Sequence, residues 1–132
     1  MTPKRFILSL ATAGLVATPL AAWSAGLGKL TVNSALGQPL QAEIEIYAEK
    51  AELDNLSATL AGADAYRDAR IGMSPVLPQL RFVVERRPGG RAVLKLSTAR
   101  PVNDPFIDVL VDLNWASGKF TREYTLLIDP PE

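Results

Sequence analysis

The chain has 132 residues, with 14 basic and 14 acidic side chains, no histidine and no cysteine. Its length sets one domain as the expectation, and its neutral balance argues against nucleic acid, because displacing counterions from phosphates needs a strongly basic face. Without histidine or cysteine the chain lacks the commonest general base, the commonest metal ligand and the thiolate nucleophile, so no histidine-assisted hydrolase can be built from it.

Residues 1–24 carry Lys4 and Arg5, then an apolar run from Phe6 to about Leu20, then Ala22-Trp23-Ser24. This is the layout of a secretory signal peptide, with cleavage expected after Ser24. A membrane anchor is the competing reading, but about 15 apolar residues fall short of the roughly 20 that span a bilayer. Loss of Lys4 and Arg5 takes the exported chain to a net charge of −2. Residues 25–132 are then expected to form one periplasmic domain, large enough to fold by packing and backbone pairing alone.

Gly26-Leu27-Gly28 leads into a short strand over Lys29 to Asn33, and a turn at Leu36-Gly37-Gln38-Pro39 delivers the chain to a second strand. From Leu40 to Tyr47, Leu40, Ala42, Ile44 and Ile46 alternate with Gln41, Glu43, Glu45 and Tyr47, the period of a half-buried antiparallel strand. Ala48 to Asp54 reads as a charged connection, and Leu56 to Leu60 as a strand or the start of a helix. Ala63 to Ala69 predicts a short helix bounded by Gly62 and Gly72. Pro75 and Pro78 enforce an irregular path from Arg70 to Gln79, a candidate functional loop.

Leu80 to Glu85 and Ala92 to Ser97 form a second alternating pair around Arg87-Pro88-Gly89-Gly90, a hairpin with one fairly polar face. Pro101 and Pro105 bracket a crossing loop. The final hairpin, within Phe106 to Pro131, has apolar residues at both parities and is expected to be buried on both faces. A two-residue Ser117-Gly118 loop would oppose Asp112 to Glu123. A three-residue loop from Ala116 to Gly118, the preferred register, opposes Asp112 to Arg122 and puts Gly118 in a left-handed bulge conformation. Six or seven short strands with almost no helix predict an all-β, immunoglobulin-like antiparallel β-sandwich with one short helix.

No constellation for catalysis, metal or cofactor is found. Ser117 lacks a nucleophile elbow. Asp108 and Asp112 share a strand face about 13 Å apart, too far for a glycosidase pair. Glu49, Glu52, Asp54, Asp64 and Asp68 lack calcium-loop spacing. Arg81, Arg86, Arg87, Arg91 and Lys95 around the second hairpin read either as a basic patch or as a solvated sheet face. Trp115, Phe120 and Tyr124 read as core. The candidate contact surface is drawn from Tyr66, Arg70, Met73, Arg86, Arg87 and Arg91.

The motifs Gly26-Leu27-Gly28, Ser34-Ala35-Leu36, Gln38-Pro39-Leu40, Ala42-Glu43-Ile44 and Leu80-Arg81-Phe82 occur in the first two thirds of the chain. They continue with Pro101-Val102, Pro105-Phe106, Leu113-Asn114-Trp115, Ser117-Gly118, Arg122-Glu123-Tyr124-Thr125 and Asp129-Pro130-Pro131. Together they resemble the FimV-type N-terminal periplasmic domain, with Ala116 where a proline is expected. The resemblance implies a non-enzymatic scaffold module of the cell envelope that supports type IV pilus assembly, positioning of the pilus secretin and twitching motility. It implies partners in the pilus machinery, with peptidoglycan contacted through a downstream module, no cofactor, and a structural role for Pro101, Phe106, Asn114, Trp115, Gly118, Arg122, Tyr124 and Pro130. That downstream module and a membrane span are not in this sequence, so the chain is expected to be either a truncated form or a short stand-alone relative. The alternatives are a glycan-binding module using Tyr47 and Tyr66 as a platform, or a stand-alone chaperone-like adaptor.

Overall fold

The computed structural model describes residues 25–131; the expected signal peptide lies outside the described residues. Seven strands form two antiparallel sheets. Sheet A has the order β1-β2-β5-β4, from β1 (Gly26–Val32), β2 (Pro39–Tyr47), β4 (Arg81–Arg87) and β5 (Arg91–Pro101). Sheet B has the order β3-β6-β7, from β3 (Ser57–Leu60), β6 (Phe106–Trp115) and β7 (Gly118–Leu127). The sheets face each other across a core in which Leu40, Ile44, Leu94, Leu96, Ile107, Val109, Leu113 and Leu126 are fully buried. At one margin β1 lies against β7, and at the other β3 lies against β4.

The alternation from Leu40 to Tyr47 is realised as read, with Leu40, Ala42, Ile44 and Ile46 buried. The final hairpin departs from its expectation. β6 turns Ile107, Val109, Val111 and Leu113 into the core, but on its other face only Leu110 is buried, and Asp108 and Asp112 are half-exposed. Lys119, Thr121, Glu123 and Thr125 of β7 are exposed. The outer face of sheet B is thus largely polar and open to solvent, with Leu110 its one buried side chain.

The register also differs from both alternatives. Trp115 pairs with Gly118 and Asp112 with Thr121, so the loop is Ala116-Ser117. The Thr121 hydroxyl donates to the Asp112 carboxylate, and the Thr125 hydroxyl to Asp108 at 2.7 Å. Neutral donors opposite the two acids replace the expected charge pair. Gly118 does not adopt positive φ; its role is space, because a Cβ there would come within 3.0 Å of the Trp115 indole. That ring packs edge-on against Phe120, with centroids 5.9 Å apart. Left-handed glycines occur instead at Gly89 and Gly90, which close the β4–β5 hairpin, and at Gly37.

Among the described residues two short α-helices occur where one was expected. α2 (Ala63–Ala69) matches the reading. α1 (Lys50–Leu53) lies within the segment read as a connection, and its local signal is a capping box in which Glu49 and Glu52 satisfy each other's backbone amides. A single turn with one buried residue, Leu53, is too brief to show a helical period.

Candidate interaction surface

Two of the motifs that carry the family resemblance join the two sheets. β1 is bulged between Leu27 and Leu30, and a bulge leaves backbone groups without ladder partners. The Leu27 carbonyl accepts from the Arg122 guanidinium, and the Gly28 carbonyl accepts from the Tyr124 hydroxyl at 2.6 Å. The guanidinium lies over the Tyr124 ring, 4.7 Å from its centroid, and burial raises the Tyr124 hydroxyl pKa. Arg122 and Tyr124 therefore clasp sheet B to the bulge of sheet A.

At the end of the sandwich remote from the Trp115 turn, backbone bonds knit five further motifs together. Leu36 N–H donates to the Asp129 carbonyl at 2.9 Å, Gly37 N–H to Val102 at 2.8 Å, Val102 N–H to Gln38 at 3.0 Å and Ile128 N–H to Pro105 at 2.9 Å. Pro101 sits opposite Pro39, and Asn114 pairs with Ser57 and Lys119. Pro130 is exposed just past this junction, and Phe106 is 68% exposed. Phe106 is thus no core residue; on the outer face of sheet B it pairs with exposed Leu127.

The six candidate contact residues do not form one surface. Tyr66 is 1% exposed and belongs to the core, which overturns its place in a contact or glycan platform. Its hydroxyl accepts from Leu110 N–H at 2.8 Å and donates to the Asp108 carbonyl at 3.4 Å. β3 ends at Leu60, and the tyrosine continues the ladder along the edge of β6 with one oxygen acting as both acceptor and donor. Burial raises its pKa. Sequence reasoning missed this role because a tyrosine in a polar helix reads as a surface residue.

Arg70, at φ 60, caps the end of α2, and exposed Met73 follows it in the loop. The Ser74 hydroxyl of that loop donates to Asp104 at 3.2 Å, while Val76 and Leu77 are buried. Arg86, Arg87 and Arg91 lie at the other end of β4, a seven-residue strand and roughly 20 Å away.

Most of the expected basic patch is neutralised. Arg87 makes a two-pronged bond to Glu43, at 2.7 and 3.1 Å, and reaches Glu85 at 2.9 Å. Lys95 stands 3.8 Å from Glu85, and Arg86 is paired with Asp54. The Arg87 hydrogen bond is the main reason that the Glu43 carboxyl titrates below its usual range, and the same contact raises the guanidinium pKa further. This network is strung across buried Val93 on the outer face of sheet A. Arg81 and Arg91 have no ion pair among the described residues.

Beside Arg91 an open groove of about 360 Å³ is lined by Glu45, Tyr47, Glu49, Glu52 and Val93. Tyr47, the remaining half of the glycan alternative, is 59% exposed but is not a free platform. Its ring lies against Gly28, leaving no room for a Cβ there, and its hydroxyl donates to Glu45 at 2.9 Å, which raises its pKa. The groove thus brings the carboxylates of Glu45, Glu49 and Glu52 and the Arg91 guanidinium around the Tyr47 hydroxyl.

The family model of the FimV N-terminal domain, an Ig-like domain, matches residues 25–131. The chain is 35% identical over 133 residues to the motility hub protein FimV of Pseudomonas aeruginosa, in each of two strains. The match covers 99% of this chain and 14% of those relatives, so the chain spans about a seventh of their length. The BIgI domain of beta protein from S. agalactiae superposes with a TM-score of 0.43 at 10% identity, covering 83% of this chain and all of that domain. With the family's motifs placed at the sheet clasp and the knitted end of a two-sheet sandwich, the chain belongs to the FimV N-terminal Ig-like domain family.

Proposed function

We propose that this domain is a non-enzymatic protein–protein interaction module of an exported, FimV-like scaffold in the cell envelope. It serves type IV pilus assembly, secretin positioning and twitching motility by binding proteins of the pilus machinery. The observation that carries the reading is the 35% identity, along 99% of the chain, to proteins named motility hub. The chemistry supports it: the chain has no histidine or cysteine, and Asp108 and Asp112 are occupied by threonine hydroxyls. A sandwich whose sheets are clasped together offers a rigid surface, which lowers the ordering cost of association. The Arg70–Met73 loop and the Arg91 turn, at opposite ends, are the proposed contact regions.

The test is a strain producing the native protein without residues 25–131, checked by immunoblot for abundance and for its envelope fraction. Twitching zones should collapse while the shortened protein persists. Zones of normal size at normal abundance would sink the proposal. Photo-cross-linkers at Met73 and Arg91 should capture pilus-machinery proteins, and the same yield from a probe at Thr125, on the outer face of sheet B, would deny those regions a special role.

A further inference from the structure

Four edges bound the two sheets: β1 and β4 in sheet A, β3 and β7 in sheet B. β1 and β7 lie against each other under the Arg122 and Tyr124 clasp. β3 is only four residues long, and its continuation along β6 is filled by the Tyr66 hydroxyl. β4 has seven residues, and among the described residues no backbone bond reaches its outer side. An unpaired edge of this length is a template for another strand.

The direction of its free groups follows from alternation in antiparallel ladders. The Gln41 carbonyl accepts from Asn33 N–H, so odd-numbered residues of β2 turn their backbone groups to β1. Carried through the pairs Ile44 with Leu94 and Glu85 with Val93, the same alternation leaves Phe82, Val84 and Arg86 with N–H and C=O facing outward. The side chains of Arg81, Val83 and Glu85 form the solvent-side row, in which Val83 is 48% exposed.

We propose that this edge pairs with β4 of a second copy of the chain, antiparallel, about a two-fold axis through Val83. The row is self-complementary in that register. Arg81, which has no ion pair of its own, faces Glu85 of the partner subunit, and Val83 faces Val83 of the partner subunit. Phe82 and Val84, with outward backbone groups, form the flanking hydrogen-bonded pairs. Centring the axis one residue later would set Arg81 against Arg87 of the partner subunit twice, and like charges directly opposed are unfavourable. The two four-stranded sheets become one continuous sheet of eight. This goes beyond the hub reading and does not depend on it.

The test uses the purified chain from residue 25 onward, whose two sheets share one core, and exploits its lack of cysteine. On the axis, Cβ atoms of a non-hydrogen-bonded pair stand about 4.5–5.5 Å apart, close to disulfide reach. Oxidation should therefore link Val83→Cys chains to one another. Arg81→Cys and Glu85→Cys chains should link when mixed but not when alone. Val83→Cys chains that stay monomeric, or all three linking equally alone, would overturn the register. In sedimentation, Arg81→Glu and Glu85→Arg should each weaken self-association by about tenfold or more, and mixing the two should restore it. Failure of the mixture to associate, with both variants folded by circular dichroism, would overturn the dimer.

Discussion

The two margins of the sandwich solve the same problem in different ways. Where β1 meets β7, two long polar side chains reach from one sheet to carbonyls exposed by a bulge in the other, and the margin is closed. Where β3 meets β4, a buried tyrosine completes the ladder of sheet B, but the backbone of β4 is left open. The closed margin is built from two of the motifs that carry the family resemblance, Gly26-Leu27-Gly28 and Arg122-Glu123-Tyr124-Thr125. The difference teaches that these two motifs hold the sheets together, and that contact with other proteins must be sought where hydrogen-bonding capacity remains.

The strongest way to break this contrast is at Tyr66. Tyr66→Ala removes a fully buried ring as well as its hydroxyl, and is expected to cost about 3–5 kcal/mol in urea unfolding. Tyr66→Phe keeps the ring but strands the Leu110 N–H, at about 1–3 kcal/mol. If Phe were neutral, the hydroxyl would not be completing the ladder. Any loss of binding after Tyr66→Ala would then report unfolding, so the variant is no test of a contact surface.

Period-two patterning made most strands legible: Leu40 to Ile46 alternate, and Pro88-Gly89-Gly90 announces a turn that only positive φ can close. It left the β6–β7 register unsettled because that choice rests on particular pairs rather than on pattern. Threonine hydroxyls opposite Asp108 and Asp112 donate to the acids in place of an arginine, and Gly118 follows the space taken by Trp115 rather than a backbone angle. The surface was less legible still. Local sequence does not report that Arg87 is already spent on Glu43, 44 residues away, or that Val83 stands at an edge. One signal was available: Arg122 shares the inward parity of Phe120, Tyr124 and Leu126, and a charge there has to find a partner across the sheets.

The closed margin should respond less than Tyr66, because its bonds lie nearer solvent. Tyr124→Phe is expected to cost about 1 kcal/mol, for a carbonyl left with a poorer partner. Arg122→Ala should add a comparable loss, and the pair should couple by more than about 0.5 kcal/mol in a double-mutant cycle, since the guanidinium rests on the ring. Purely additive losses would mean that each side chain serves its own carbonyl and that the clasp is not a unit.

The smallest effect separates the margins by pH. β4 is held to the rest of its sheet in part by Arg87 reaching Glu43 across Val93, so the open margin relies on an ion pair where the closed one relies on carbonyls. Glu43 has a folded pKa lowered from 4.5. Its contribution is therefore complete above about pH 4.5 and is lost as the pH falls through the folded value, when the carboxylate takes a proton that the unfolded chain binds more readily. The side chains are 32% and 26% exposed, which limits the pair to less than about 1 kcal/mol. The melting temperature of Glu43→Gln should lie slightly below that of the unmodified chain at neutral pH and converge with it as the pH falls below the folded pKa of Glu43. Tyr124→Phe, whose lost bond has no acidic group, should keep its deficit over the same range. A Glu43→Gln deficit that held constant into acid would assign the contribution to packing over Val93, and both margins would then be held by the same uncharged contacts.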